Sequence, residues 1–390
     1  MTQSPLQIVA DRLAAVDRLP TAQRAILGYY AETGQFDYRA LRIKSAVDDT
    51  LSGVLDEVYA DVETAIATDL GVDADTVSFH YETKLTLPAE LTLGYLYRRA
   101  LARSTEGYDP ITDEASGWLS RGDPSADGNQ EAREYVERAE EATSLIVQAL
   151  LDGDMRDAIN DDEFEDFEVT VEGADPTPRR VAECAQSHLQ RVVEDAFNRA
   201  PDAVREAYDD AVEISEAHQD QDDHFRALLD AALDGDDAAK ARIEDEYKFA
   251  SLSEDAPFDE RERELPYFKT QYDRVGVIYK GMLDAYRGVG FEIPEAFGTS
   301  IVLAIIGAQV WLDDVDDYRD DVAEGQLTPV TAEYVLASSD ADAYERVVSI
   351  ATDYFDLARE HATEADSPLN GIAIEYILRS GDPERLPGSR

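Results

Sequence analysis

The chain has 390 residues, with 85 Asp and Glu against 35 Lys and Arg, and its net charge is −50 at pH 7. So negative a surface argues against nucleic acid or an anionic membrane as a partner. The hydrophobic fraction of 44% is ordinary for a globular protein, which argues against a disordered acidic tail.

The acids are spread over the full length, and the chain has only six lysines. At molar salt the Debye length falls to about 3 Å, so such self-repulsion is tolerated, and we expect a protein of a halophilic organism. The N-terminal residues lack a basic segment followed by an apolar one, which predicts no signal peptide. The longest apolar run, 301–312, is too short to span a bilayer. A soluble, cytoplasmic protein is therefore expected.

Apolar residues recur every three or four positions through most of the chain, which predicts a mainly all-α fold of the multi-helix bundle type. Prolines stand near the start of several of these segments, where a missing N–H is harmless. The predicted helices are 5–34, 40–70, 88–104, 129–153, 178–218, 222–249, 264–289, 294–324, 328–337, 340–366 and 367–379.

Two stretches have the residue pattern of strands instead. Residues 76–87 alternate apolar and polar side chains, and residues 167–173 are β-branched and end in glycine. We expect them to form one short β hairpin against the helical body. Residues 105–128 and 250–263 are rich in turn formers or acids and are predicted to be loops.

Neither an internal repeat nor a long linker is visible, so a single helical domain over 1–390 is expected. A sub-division into an N-terminal part, 1–175, and a part with the aspartate-rich run, 176–390, is left open. The one cysteine, Cys184, excludes a disulfide framework and a thiolate metal site, and it is expected to be a small buried residue on a helix.

A dense run of acids follows an apolar segment in residues 301–325. Seven of the twelve residues 313–324 are acidic. Acid density alone is weak evidence, because residues 152–168 carry nine acids in 17 without a matching apolar helix. What distinguishes 313–324 is its attachment to a predicted core helix.

A helix through this run would place four acids on one face, because they are spaced at i, i+4, i+7 and i+11. These four are Asp313, Asp317, Asp320 and Glu324, and Asp314 and Asp321 stand beside them, seven residues apart. Stacked carboxylates repel one another, and a hard divalent cation relieves that repulsion. Mg²⁺ is typically held by one or two carboxylates together with substrate phosphates. The pattern therefore predicts either a Mg²⁺ site or, in so acidic a chain, a solvated helix face.

Residues 264–289 contain cations that a diphosphate ligand would need. Lys269, Asp273, Gly276 and Lys280 follow the same i, i+4, i+7, i+11 spacing. Two lysines thus share one predicted helix face, with Gly276 permitting close approach between them, whereas Arg274 and Arg287 lie on other faces. The lysines are candidates for neutralising a diphosphate. The alternative is that they form ordinary ion pairs with the surrounding acids.

The same segment carries four regularly spaced tyrosines. Either they are core aromatics, or they form a wall that stabilises a carbocation. They are Tyr267, Tyr272, Tyr279 and Tyr286.

A second acidic patch lies in residues 207–225. Its histidines and carboxylates could bind a transition metal, and the alternative is a solvated helix end. The candidate residues are Asp209, Asp210, Glu213, His218, Asp222 and His224.

The stretch Gly307-Ala-Gln-Val-Trp-Leu-Asp-Asp-Val-Asp-Asp317 resembles the helix that carries the aspartate-rich motif of class I isoprenoid enzymes, with Asp313, Asp314 and Asp317 matching DDxxD. The acids that continue in steps of three or four are similar to those of squalene/phytoene and tetraprenyl-curcumene synthases. The resemblance covers about 265–325. It implies an all-α fold with a central cavity, in which three Mg²⁺ ions hold an allylic diphosphate. Members carry a second acidic motif, for which Asp209, Asp210 and Glu213 are the candidates.

The leading hypothesis is a Mg²⁺-dependent enzyme that ionises a prenyl diphosphate, in prenyl transfer, condensation or cyclisation. Asp313, Asp314 and Asp317 would be catalytic, and these three with Asp321 would bind the metal. The substrate would be bound by Lys269, Lys280, Arg274 and Tyr279. The alternatives are a non-enzymatic all-α structural or partner-binding protein with a halophilic acidic surface, and a His/carboxylate metalloenzyme built on 207–225. The prenyl chain length, the product and homo-oligomerisation are left open.

Overall fold

The computed structural model describes residues 4–389 except 17, 82, 84, 106–107, 113, 116–126, 161 and 254–255. Helices dominate, and two small sheets hold the four strands of the described residues, so the prediction of a mainly helical fold is confirmed. The chain divides into two compact units. The first unit comprises residues 1–37, 206–287 and 291–390, and the second unit comprises residues 38–205 and 288–290.

The second unit consists of four long helices and the four strands. The helices are α3 (Tyr38–Leu70), α4 (Leu87–Arg103), α5 (Asp127–Asn160) and α6 (Pro178–Phe197). The strands are β1 (Val77–Tyr81), β2 (Tyr108–Asp109), β3 (Glu114–Ala115) and β4 (Phe167–Val171).

The first unit holds the remaining helices. They are α1 (Pro5–Ala14), α2 (Thr21–Thr33), most of α7 (Asp202–Gln219), α8 (Asp222–Leu233), α9 (Asp237–Arg242), α10 (Glu260–Arg263), α11 (Phe268–Gln271), most of α12 (Val277–Gly288), α13 (Glu295–Ala308), α14 (Asp314–Asp316), α15 (Tyr318–Glu324), α16 (Pro329–Leu336), α17 (Asp340–Glu364) and α18 (Pro368–Ser380).

The two predicted strand segments do pair with each other. β1 and β4 run antiparallel, with Val77 opposite Val171 and Tyr81 opposite Phe167. Inward and outward side chains alternate along β1, as the sequence pattern predicted. The strands are far apart in sequence, so they form a long-range pair and not a local hairpin. The short β2–β3 pair lies in the predicted loop 105–128, most of which is outside the described residues.

Prolines set two helix boundaries that the apolar periodicity did not reveal. The predicted helix 5–34 is two helices, because Pro20 is the N-cap of α2. The predicted helix 178–218 is also two helices, because α6 ends at Phe197 and Pro201 directly precedes α7. Proline disfavours helical backbone in the residue before it, so no helix continues through either proline, and a new helix begins directly after each one.

Helix α13 is the core helix of the first unit and is apolar on all sides, as buried helices are. It packs along α17, where Ser300 Oγ donates a hydrogen bond to the Ala358 carbonyl at 2.9 Å. Gly307 allows a close approach of the two helices, since a Cβ there would lie 2.8 Å from the Phe355 ring. The packing of α13 against α17 therefore fixes the position at which residues 309–324 begin.

Residues Glu295–Asp316 form one helical stretch that is long and apolar enough to cross a membrane by length and composition alone. It is longer than the apolar run 301–312 on which the sequence expectation depended. Its most apolar window has a mean hydropathy of 1.5, and 67% of that window is buried inside the protein. The core helix of a water-soluble protein has the same properties, so this stretch is weak evidence for a membrane.

Three helical stretches of the first unit contain a π-helical segment: Ile243–Lys248, Tyr272–Gly276 and Gln309–Asp313. The prediction of one regular helix over 294–324 is therefore wrong. A π-helical segment follows α13, and Asp317 leaves the helix with φ −92° and ψ 1° before α15 begins. A π turn holds an extra residue, which rotates the side chains that follow relative to a regular helix.

Candidate functional site

The acid run divides into an exposed set and a pair that points inward. All four acids predicted to share one face are exposed: Asp313, Asp317, Asp320 and Glu324. Asp316 is also near the surface, where its carboxylate forms an ion pair with Arg385 at 2.9 Å. Asp314 and Asp321, by contrast, point inward. The solvated-face alternative thus describes the first four, and the pair spaced by seven forms the interior part of the run.

Asp314 is the most deeply buried acid of the run, with 3% of its surface exposed. Burial raises the pKa of this carboxyl to about 7, the nearby Arg274 charge opposes the rise, and Asp321 and Asp313 add to it. Its Oδ2 atom is buried and has no hydrogen-bond partner. Buried polar atoms are almost always satisfied in native proteins, so this orphaned oxygen requires an explanation.

Asp321 lies two helical turns further along the chain and is half-buried. Burial raises its pKa to about 6, Arg274 opposes the rise, and the charges of Asp317 and Glu324 add to it. Its Oδ2 atom is also buried without a partner. Two carboxylates of the same run therefore each present a free, buried oxygen.

Arg274 supplies a positive charge that acts on both of these acids. It lies in the middle of the π segment Tyr272–Gly276 and is partly buried. Burial acts to lower its pKa, but electrostatic interactions with its neighbours, Asp314 first and then Tyr247, Asp222 and Asp321, raise the pKa overall. Among the described residues, no carboxylate oxygen lies within 4.0 Å of its guanidinium nitrogens. The guanidinium and the two orphaned oxygens thus interact through space without touching.

Tyr247 completes the interior cluster from a third π segment, Ile243–Lys248. Its hydroxyl donates to the Leu327 carbonyl at 2.7 Å and accepts from Gln271 Nε2 at 3.3 Å. Its ring packs edge-on against Phe225, with centroids 4.9 Å apart. Tyr247 and Arg274 lie in π segments and Asp314 directly follows one, and the three residues interact electrostatically. Such π turns are frequent at functional sites.

The lysines predicted to bind a diphosphate are engaged along their own helical stretches. Lys269 pairs with Asp273 at 2.5 Å, and Lys280 pairs with Asp284. Both pairs have i, i+4 spacing, the arrangement that the ion-pair alternative described. Tyr279 is a buried core residue, with 4% of its surface exposed. The cation that the structure brings to the buried acids is Arg274.

Gly276 has a different role from the one expected. A Cβ at this position would lie 2.9 Å from the Tyr272 ring, 3.2 Å from Val302 and 3.4 Å from Ile306. Val302 and Ile306 belong to α13, so the missing side chain lets the Arg274 segment pack directly on the core helix. Gly276 therefore helps to place Arg274 near the end of α13.

The segment 207–225 contributes to this cluster, but not through the acids Asp209, Asp210 and Glu213 that were predicted to form its second acidic motif. Asp209, Asp210 and Glu213 are exposed on α7. Asp222, at the start of α8, interacts electrostatically with Arg274. His218 is buried with an unpartnered Nδ1, and burial lowers its pKa to about 4.

The positions of the histidines and acids of 207–225 do not support the alternative of a transition-metal site. His224 Nε2 lies 3.0 Å from the Glu246 carboxylate, an exposed ion pair. No group of three or more His, Cys, Asp or Glu side chains is arranged to hold a metal in the part of the chain that the structure describes. A cation at Asp314 and Asp321 would therefore need further ligands from water or from a bound anion.

No protein-family model matches the chain, and no curated protein and no solved structure matches it either. Tyr247 is the one residue of the cluster that the sequence did not single out. No motif surrounds it in the sequence, and it is long-range contacts, among them those to Phe225, Gln271 and Leu327, that place it there.

Proposed function

We propose that this protein is a soluble, cytoplasmic, Mg²⁺-dependent enzyme that acts on a prenyl diphosphate, with Asp314, Asp321 and Arg274 at the centre of its site. The observation that supports this proposal most is the pair of buried, unpartnered Oδ2 atoms of Asp314 and Asp321 beside a guanidinium without an ion pair. A cation and an anion bound together would satisfy all three groups, whereas either one alone would leave a charge unmatched.

The donor set fits one Mg²⁺ ion. Asp314 and Asp321 would hold it, since Mg²⁺ usually takes one or two carboxylates and completes its shell with water and phosphate oxygens. Three ions, as the family resemblance implies, would also need the exposed Asp313 and Asp317. When bound, the ion stabilises negative charge on a departing diphosphate.

Arg274 would hold the diphosphate. A guanidinium presents paired donors that match two phosphate oxygens at once, and a lysine cannot reproduce that geometry. Because Arg274 has no ion pair within 4.0 Å among the described residues, it can accept an anion without breaking an existing contact. The rings of Tyr247 and Phe225 are buried in the same neighbourhood and make it apolar.

The test is Mg²⁺-dependent binding of farnesyl diphosphate, measured by calorimetry in molar KCl. Asp314→Asn should abolish the Mg²⁺-dependent part of binding. Arg274→Lys should weaken farnesyl diphosphate binding without changing the binding of Mg²⁺ alone. Asp320→Asn is the matched control, because Asp320 belongs to the same acid run but is exposed. The proposal fails if the wild-type protein shows no Mg²⁺-dependent binding, or if the Asp314 and Asp320 variants behave alike.

The non-enzymatic alternative has one specific observation in its favour. Large apolar side chains are exposed on α1, with Leu6 at 68% and Val9 at 53% exposure. Such a surface is a feature of proteins that bind a macromolecular partner. It is compatible with enzymatic activity elsewhere in the first unit.

A further inference from the structure

Helix α1 exposes its larger apolar side chains and buries its smaller ones. Its buried residues are Ala10 and Ala14, which pack against α2. Four larger aliphatic residues of the helix are exposed, namely Leu6 at 68%, Ile8 at 43%, Val9 at 53% and Leu13 at 43%. A surface helix normally buries its large apolar residues. Helix α1 therefore has an apolar face that lacks a cover.

The exposed face continues into a groove between α1 and α2 with a volume of about 390 Å³. Its lining is almost entirely apolar and includes Leu6, Val9, Leu13, Ile26, Tyr30 and Phe36. Phe36, at one end of the groove, is itself 62% exposed. An apolar groove bordered by an exposed phenylalanine and leucine is suited to take another apolar helix.

Polar contacts fix the hairpin of α1 and α2 in the orientation that leaves this groove open. Gln7 Nε2 donates to the Ala31 carbonyl at 3.1 Å, which ties α1 to the end of α2. The Ala14 carbonyl accepts from Arg24 Nε at 3.0 Å and from Arg379 Nη1 of α18 at 3.1 Å. Rotating α1 to hide its leucines would break these bonds. The groove is therefore held open in the folded first unit.

The hairpin differs from the rest of the chain in charge. Residues 1–37 carry three arginines and four acids, whereas the whole chain carries 35 basic and 85 acidic residues. Nearly all of the net charge of −50 thus lies outside this segment. Two molecules that meet through their hairpins bring together segments that carry almost no net charge, and molar salt screens the rest beyond about 3 Å.

We propose that this face binds a second copy of the chain, with α1 of each protomer seated in the groove between α1 and α2 of the other. The contact is isologous, because the same ridge and the same groove are present on both molecules, and it closes as a two-fold dimer. An anionic membrane is the less favoured occupant, since the rest of the protein would be repelled from it.

Sedimentation equilibrium in about 2 M KCl tests the proposal, because salt of that strength screens the net charge. The wild-type chain should sediment as a dimer, and Val9→Asp should sediment as a monomer with an unchanged circular dichroism spectrum. Leu233→Asp is the control: Leu233 is as exposed as Val9, at 55%, but lies on α8. That variant should remain a dimer.

Two results would overturn the proposal. One is a wild-type protein that stays monomeric at every concentration measured, and the other is a dimer that survives Val9→Asp together with Leu13→Asp. Flotation with vesicles of zwitterionic lipid adds a separate comparison. A monomeric wild type that binds vesicles through Val9 would assign the face to a lipid surface instead of a second copy.

Discussion

Lys248 Nζ lies 2.6 Å from Glu333 Oε1, and the two side chains are only 10% and 0% exposed. The Tyr267 hydroxyl donates to the same carboxylate oxygen at 2.6 Å. Tyr267 has φ of 67°, a left-handed conformation that is unusual for a bulky residue, and its backbone N–H donates to the Lys248 carbonyl at 2.6 Å. This buried pair ties α16 to the π segment that carries Tyr247.

Removing the acid from that pair should be strongly destabilising. Glu333→Ala leaves the Lys248 ammonium buried without its carboxylate, and the loss of one partner of a buried pair typically costs about 3–5 kcal/mol. Urea denaturation gives the measurement. Glu360→Ala is the control, because Glu360 pairs with Arg261 at 2.9 Å but both side chains are at least 60% exposed. That variant should lose less than about 1 kcal/mol, and equal losses would contradict the prediction.

Stability should fall with rising pH because of Asp314. Burial raises the pKa of this carboxyl from 3.8 to about 7, so the folded protein holds a proton there that the unfolded chain has released. Its stabilising contribution is complete below about pH 4 and is lost as the pH rises to about 7.

Asp314→Asn removes this dependence. Between about pH 4 and pH 7 the stability of the variant should decline less than that of the wild type, by at most about 4 kcal/mol. Denaturant unfolding of both proteins across that range, at constant high salt, provides the comparison. Parallel curves would mean that Asp314 titrates in the folded protein as it does in the unfolded chain.

Replacing Arg274 should have a pH-dependent cost. Without the guanidinium, Asp314 and Asp321 lose the charge that opposes the rise in their pKa values. Arg274→Met should therefore be more destabilising at about pH 8, where both carboxyls ionise, than at about pH 5, by roughly 1–3 kcal/mol. The double variant with Asp314→Asn should lose most of that difference. A destabilisation that is the same at both pH values would assign Arg274 a packing role.

Gly276→Ala should destabilise the first unit by about 1–3 kcal/mol through overpacking. The added methyl group would lie 2.9 Å from the Tyr272 ring and 3.2 Å from Val302, which are both buried. Gly53→Ala is the control, since nothing lies within 4 Å of a Cβ at Gly53. In the middle of α3, that change should stabilise by about 0.5–1 kcal/mol. An unchanged free energy of unfolding for Gly276→Ala would show that Tyr272 and Val302 can move enough to admit a methyl group.

The fold should need salt. Lowering KCl from about 1 M to 0.1 M lengthens the Debye length from about 3 to 10 Å and restores repulsion among the surface acids. The melting temperature should fall accordingly, and sucrose at equal osmolality should not replace KCl. A melting temperature that is unchanged across the range would remove the support for adaptation to a saline cytoplasm.

Much of the fold follows from periodicity in the sequence. The apolar residues of 301–312 predict a core helix, and the alternation in 76–87 predicts the strand β1. Both signals arise from burial, which composition and spacing report directly. The two π segments around Arg274 and before Asp314 carry no such signal in the sequence. A π turn is built from the same residue types as a regular helical turn and differs only in the direction in which the following side chains point.

The rotation that a π turn adds explains why only part of the candidate site could be predicted from the sequence. Regular helix geometry assigned Arg274 to a face away from the lysines and gave four of the acids a common face. The structure exposes those four acids and turns Asp314 and Asp321 inward toward Arg274. The spacing of seven placed the two acids beside the predicted four-acid face, and only tertiary packing shows that these two, and not the four, turn inward. Asp222 likewise depends on where α8 lies.

The packing of α2 against α18 has a consequence for how the protein is made. The second unit is almost continuous in sequence, so the ribosome delivers nearly all of it in one stretch, and it can fold first. The hairpin of α1 and α2 is synthesised earlier but belongs to a unit whose remaining helices emerge only later. Domains generally fold as units during synthesis. Although it is translated before the second unit, the α1–α2 hairpin is therefore among the last parts of the first unit to be packed, and its apolar face stays exposed during that time.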